Sequence, residues 1–271
     1  MDGVPARVGI AGDWHGNTAW AVRAVGKISA LLPRDGPRVI LQLGDFGIWP
    51  GRDGREYLSR LDAALDAASA DLCFVDGNHE DFPQLAGLRP GPDGRERVTE
   101  RIWHLPRGYR WRWHGRDWLA LGGAVSLDRA VRTAGVDWWP EEEITRRQAA
   151  SVIDAGPADV MVTHECPAGV EHAFPPVPPS WSAADLRRSD AHRGLLREVV
   201  LAVRPRWLMH GHLHMSYQRR VDLGNGPIEV TGLDRDGAPS GNWAILDAVS
   251  MRWLRFHGKP ISNAIRGLVS S

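Results

Sequence analysis

Arg7-Val8-Gly9-Ile10-Ala11-Gly12-Asp13-Trp14-His15-Gly16-Asn17 is the stretch whose reading decides the fold. Its opening residues, apolar after Arg7, read as a buried strand; the glycine-flanked Asp13 and His15 stand at the strand's end, and a helical run from Thr18 to Leu32 follows. The same order then repeats. Val39 to Leu43 ends at Gly44-Asp45, a helix covers about Arg55 to Ala68, and Leu72 to Val75 ends at Gly77-Asn78-His79-Glu80. Within the second helix Tyr57, Leu58, Leu61, Leu65 and Ala68 recur at helical spacing. The result is a βαβαβ unit, whose right-handed crossovers bring the carboxyl ends of its strands, with Asp13, Asp45 and Asn78, to one edge.

Outward from this unit the pattern changes. Strands at Arg101 to Leu105, Tyr109 to Trp113 and Trp118 to Leu121, with a turn at Gly115-Arg116, predict antiparallel pairing. A helix from about Glu141 to Ala155 and a strand from Val160 to Thr163 resume the alternation, and that strand runs into His164-Glu165. A Pro-rich loop, Cys166 to Ser180, precedes a helix from about Ala183 to Val203. Trp207 to Met209 leads into Gly211-His212-Leu213-His214, and the strands Tyr217 to Leu223, Ile228 to Thr231, Trp243 to Leu246 and Met251 to Phe256 read as a meander. With no repeat and no linker, the expectation is a single α/β domain over residues 1–271, two packed sheets flanked by helices.

Composition narrows the function classes. Lys plus Arg and Asp plus Glu both number 33, so the formal net charge is zero and no global field draws the chain to nucleic acid or an anionic membrane. No apolar run approaches the roughly 20 residues that span a bilayer, and the N-terminus enters a strand without the marks of a signal peptide. A cytoplasmic protein is the expectation, and no feature sets an oligomeric state. Cys73, in an apolar strand, reads as a core residue, and Cys166, followed by Pro167, as a structural thiol; no disulfide framework is expected.

The chemistry lies at the strand ends. Asp13 and His15 are two apart, so an extended exit points both side chains one way and Trp14 another, and the pair can chelate one ion. His212 and His214 repeat the spacing around Leu213, so that each imidazole can serve one member of a metal pair. Asp45, with two oxygens, is the natural bridge; Asn78 offers a carbonyl oxygen and His164 another imidazole. Glycines beside these ligands allow close backbone approach. Such a nitrogen and oxygen set, without thiolate, suits two divalent ions: Mn²⁺ first, with Fe, Zn²⁺ or Co²⁺ as the other fits.

In content and order, the motifs from Gly12 to His214 resemble those of the calcineurin-like metallophosphoesterases. The resemblance implies a four-layer α/β sandwich, two mixed β-sheets face to face between helices. It implies one ion held by Asp13, His15, Asp45 and His214, and a second by Asp45, Asn78, His164 and His212. It also implies hydrolysis of phosphate esters: two cations roughly 3.5–4 Å apart acidify a water and offset charge in an in-line transition state. His79, beside Asn78, would protonate the leaving oxygen or stabilise the transition state.

One departure bears on substrate. Serine/threonine phosphatases of this family follow the bridging Asp with an Asp-Arg pair, and here Ile48 and Trp49 stand in those places. A phosphate grip must come from elsewhere. The Gly122-Gly123 turn could carry Arg129 or Arg132 to a phosphate, although a solvated arginine is the commoner outcome. Of 13 Trp, Trp111 and Trp113 should lie buried beneath Arg110 and Arg112, whereas Trp138, Trp139 and Trp181 are candidate pocket walls. Glu165 and His172 could reach substrate. The expected substrate is a small phosphodiester or nucleotide ester, with a phosphomonoester as the alternative; nucleic acid is not favoured, and a scaffold without catalysis is disfavoured by the complete ligand set.

Overall fold

A computed structural model describes residues 3–170 and 181–259. His172 and most of the expected Pro-rich loop lie outside the described residues. The first half runs β1 (Arg7–Ala11), α1 (Thr18–Ser29), β2 (Val39–Gln42), α2 (Gly51–Ala67), β3 (Asp71–Phe74), α3 (Phe82–Ala86), β4 (Glu96–Arg97) and β5 (Ile102–His104). Then come β6 (Arg110–Trp113), β7 (Arg116–Leu121), α4 (Arg146–Asp154), β8 (Val160–Thr163), α5 (Ala183–Val203) and β9 (Trp207–His210). The chain continues through β10 (Tyr217–Asp222), β11 (Pro227–Gly232), β12 (Trp243–Asp247) and β13 (Arg252–Phe256).

These strands build two mixed sheets, a seven-stranded one ordered β13-β12-β1-β2-β3-β5-β4 and a six-stranded one ordered β10-β11-β9-β8-β7-β6. The period of two explains the layers, because alternate side chains of a central strand leave by opposite faces. Val8, Ile10, Val39, Leu41, Cys73 and Val75 meet Trp118, Ala120, Val160, Val162 and Met209 between the sheets. Their sequence neighbours Ile40, Leu72 and Phe74 turn outward to α1 and α2, and Leu119, Met161 and Leu208 face the cluster formed with α4 and α5. Each sheet is thus covered on both faces, which is the four-layer sandwich.

Pairing corrects several boundaries and partnerships. Residues 101–121 are not one antiparallel run: β5 pairs parallel with β3, while β6 and β7 form a hairpin in the other sheet. The hairpin turn is His114-Gly115, one residue earlier than expected, with φ of 48° and 76°; two positive φ values give the turn whose twist matches paired strands. Nor do the four C-terminal strands form a single meander. The pair β10–β11 joins β9, whereas β12–β13 joins β1. Local alternation marks strands but not the sheet each one joins. The helix expected from Glu141 begins at Arg146, where Thr145 and Gln148 form a capping box, and Pro140–Glu142 is a separate 3₁₀ turn. Helix α2 starts at Gly51, earlier than Arg55.

Trp113 and Trp118 are buried, with Trp111 packed against them. Cys73 and Cys166 are free and buried. No helix among the described residues is long and apolar enough to cross a membrane.

Candidate metal centre

The carboxyl ends of β1, β2 and β3 in one sheet and of β8 and β9 in the other converge, so the expected ligands meet between the sheets. The exits are turns rather than extended chain, correcting the geometry assumed for Asp13 with His15 and for His212 with His214. His15, Asp45, His212 and His214 have φ of 46°, 51°, 61° and 50°. Left-handed backbone at such residues costs on the order of 1–3 kcal/mol each and persists only where surrounding bonds hold it. Those bonds are present: the Asp45 carbonyl accepts the amides of Trp14 and His15 at 3.0 and 2.8 Å. The Asp45 Oδ1 accepts the amides of Asn78 and His79, both at 2.9 Å, and the Asp13 carboxylate accepts the His212 amide at 3.1 and 3.2 Å. Two glycines are sterically required. A Cβ on Gly211 would lie 2.2 Å from Asp13 Oδ1, and one on Gly77 would lie 2.1 Å from Asp45 Oδ1. Trp14 is buried against Phe46, and Leu213 packs into the cluster beneath the second sheet.

Two groups of ligand atoms result, each within 4.8 Å: Asp13, His15, Asp45 and His214, and Asp45, His164 and His212. Asp45 belongs to both. Asn78 joins the second, its Oδ1 lying 3.2 Å from His164 Nε2.

The hydrogen bonds tell which nitrogens are free. His164 Nδ1 donates to the Leu43 carbonyl at 2.6 Å, and His15 Nδ1 donates to Asp236 Oδ1 at 2.9 Å. In each neutral ring the other nitrogen then carries a lone pair. His164 Nε2 faces Asn78 Oδ1 at 3.2 Å and Asp45 Oδ1 at 3.3 Å, and His15 Nε2 faces Asp45 Oδ2 at 3.4 Å. Acceptors turned on acceptors repel unless a cation or a proton lies among them, so the donor set fits divalent metal. Glu165 Oε2, buried without a hydrogen-bond partner, lies 3.5 Å from His212 Nε2.

Protons compete for this role. Burial opposes charging His15, but Asp236, Asp45 and Asp13 raise it to about 11. Burial likewise opposes charge on His164, yet Asp45, Asp13 and the Leu43 carbonyl raise it to about 10. For Asp45 burial works upward, but His164, His79 and His15 hold the carboxylate well below its usual range. Protons and divalent metal therefore compete for the same imidazole nitrogens, and metal binding should strengthen as pH rises. We expect Mn²⁺ affinity to increase steadily from pH 6.5 to 8.5 at constant ionic strength, measured by calorimetry. A flat profile over that interval would mean that both rings are already neutral.

His79 stands at the rim of this cluster. Its Nε2 is 4.0 Å from Asp45 Oδ2, 3.1 Å from Asn78 Nδ2 and 3.3 Å from Arg132 Nη2, and its Nδ1 is buried without a partner. Burial lowers its pKa, Asp45 opposes, and Arg132 lowers it further.

Of the two arginines suggested for phosphate, the structure brings only Arg132 to this place. Its Nε and Nη2 donate to Asp128 Oδ1 and Oδ2 at 2.9 and 2.6 Å. Arg129 instead lies over the Trp138 ring at 4.4 Å and 3.7 Å from Asp185. Trp138 and Trp139 are each only 9% exposed, which leaves them little surface to offer as pocket walls. Trp138 also lies under Arg188, and Trp139 packs against Phe82 in the core. Apolar burial outweighed their place in an irregular segment. Glu165 is fully buried beside His212 rather than open to substrate. Ile48 is fully buried, its amide donating to Glu80. Sequence reading missed Asp236, Ser126 and Glu142. Asp236 lies 221 residues from His15, Ser126 48 from Asn78 and Glu142 16 from Ser126, separations at which no local pattern signals the pairing.

Fold and site together define an α/β sandwich in which two groups of side chains that could hold metal share one carboxylate. The calcineurin-like phosphoesterase family matches residues 6–216, and the chain belongs to that family. A search of curated proteins finds no match. Among solved structures, the sulfate thiohydrolase SoxB of Thermus thermophilus, in complex with glycerol, is similar over 91% of this chain at 14% identity and a TM-score of 0.39. That alignment spans 42% of the SoxB chain.

Proposed function

We propose that this protein is a two-metal phosphoesterase of the cytosol, acting on small phosphodiesters or nucleotide esters. The observation that carries the reading is the sharing of Asp45 by both ligand groups, with His79 and Arg132 at their rim. One ion would be held by Asp13, His15, Asp45 and His214 and the other by Asp45, Asn78, His164 and His212, with Mn²⁺ as first choice. Two such cations, when bound, supply a water nucleophile and offset phosphate charge. His79 Nε2, the nitrogen turned toward the cluster, accepts from Asn78 Nδ2 and Arg132 Nη2 and would exchange a proton with a substrate oxygen that displaces them. Arg132 would turn to a phosphate oxygen the Nη2 hydrogen that meets His79, while Asp128 fixes the guanidinium plane.

A second reading, phosphomonoester hydrolysis, has one observation in its favour. Asp128 with Arg132 restores beside His79 a charged pair that Ile48 and Trp49 do not supply.

The test is turnover with Mn²⁺ of bis-p-nitrophenyl phosphate, nucleotide diesters, p-nitrophenyl phosphate and a phosphoserine peptide. Diester turnover should lead. Arg132→Ala should lower kcat/KM roughly 10- to 100-fold with both metals retained, the worth of one charged hydrogen bond of about 1.5–3 kcal/mol. Efficient turnover of the peptide without diester activity would make the monoesterase reading the right one.

A further inference from the structure

Asn78 has a side chain whose two ends are nearly alike in shape and opposite in chemistry. Only its oxygen can serve a cation; its –NH₂ group, turned the same way, would repel one. The surroundings are built to choose. Asn78 Nδ2 lies 3.1 Å from Ser126 Oγ and, on the rim side, 3.1 Å from His79 Nε2, and Ser126 Oγ lies 2.5 Å from Glu142 Oε2. Glu142 Oε1 accepts the Ser126 amide at 3.0 Å. Ser126 and Glu142 are fully buried, and Asn78 is 2% exposed. Glu142 is itself anchored, because Arg107 donates to the carbonyls of Glu141, Glu142 and Glu143 at 2.8, 3.0 and 2.7 Å while paired with buried Asp76.

A hydroxyl has one proton. Burial raises the pKa of Glu142 to about 7, so at pH 8.5 it is a carboxylate that takes this proton; Ser126 Oγ then shows Asn78 only lone pairs, and the amide must meet them with Nδ2. The carbonyl oxygen is then left facing His164 Nε2 and the shared ligand group. We infer that Ser126 and Glu142 are positioning residues that set the amide of Asn78 with its oxygen toward the second metal position. This rests on the two-metal reading above, and it adds a device that acts on one ion and not the other.

The isosteric variant Glu142→Gln separates positioning from packing. Its carboxamide must keep its oxygen on the Ser126 amide, so its –NH₂ faces Ser126 Oγ and donates there. The hydroxyl proton then swings toward Asn78 and calls for its oxygen, reversing the preferred orientation. Chelator-stripped protein would be titrated with Mn²⁺ alone at pH 8.5, followed by calorimetry and by paramagnetic resonance of free Mn²⁺. Wild type should bind two ions. Glu142→Gln and Ser126→Ala should each weaken one of them roughly 10- to 100-fold, the usual effect of losing a ligand's orienting partner, and leave the other within threefold. In an Asn78→Asp background, where both ends of the side chain are oxygen, the same two changes should alter affinity less than threefold. The inference is overturned if both variants bind both ions as wild type does, or if their losses persist undiminished beside Asp at position 78. Wild type binding no Mn²⁺ would instead overturn the metal reading itself, a different result from two ions bound alike in every variant.

Discussion

Asp45→Asn is expected to lose both ions at concentrations that saturate wild type and to lower turnover by roughly 10³-fold or more, the effect of several kcal/mol of lost transition-state stabilisation. The argument is geometric. Asp45 Oδ2 lies 3.4 Å from His15 Nε2 in one ligand group, and Oδ1 lies 3.3 Å from His164 Nε2 in the other. Replacing one oxygen by –NH₂ removes an anionic charge common to both positions and turns a donor on one of them. The Oδ1 bonds from the Asn78 and His79 amides can survive, so the fold should hold, as a thermal melt can verify. His214→Ala is the control. Its ring lies 3.1 Å from Asp13 Oδ2, and it belongs to one group only, so its loss should empty mainly one position. Metal analysis of the purified variants decides the matter: Asp45→Asn carrying two ions like wild type would end its role as the bridge.

His79→Ala should keep both ions and still lose roughly 10²–10⁴-fold in turnover, the range for a positioned acid–base group. His79 belongs to neither ligand group, yet its Nε2 comes within 4.0 Å of Asp45 Oδ2 and meets Arg132. A group that gives a proton to a departing oxygen matters most when that oxygen is basic. The loss should therefore be larger for alkyl or nucleoside esters than for p-nitrophenyl esters, whose leaving group departs without help. An equal loss across leaving groups would remove the acid role and leave His79 with electrostatic support alone.

The parallel strands and their terminal ligands were legible because both signals are local. A strand covered on both faces needs an apolar run, and a ligand that must approach another chain segment needs glycine beside it. Gly211 against Asp13 shows the second rule at atomic scale. The same locality explains the errors. Alternation in Arg110 to Trp113 and in Ile102 to His104 looks alike, yet these strands lie in different sheets. Trp138 and Trp139 share an irregular segment, which in sequence carries no sign of the burial that both indoles reach.

By itself, then, the sequence determined the alternation of strand and helix, the nitrogen and oxygen character of the ligand set and the edge to which Asp13, Asp45 and Asn78 are delivered. Only the tertiary structure decided that Asp236 orients His15, that Ser126, held by Glu142, faces Asn78, and that Arg132 rather than Arg129 reaches His79. The reason is physical. Hydrophobic periodicity and glycine sterics act between neighbours along the chain and leave their mark in its order. A hydrogen bond between Asp236 and His15 joins residues 221 apart, and its directionality is satisfied only when both sheets have closed around the site.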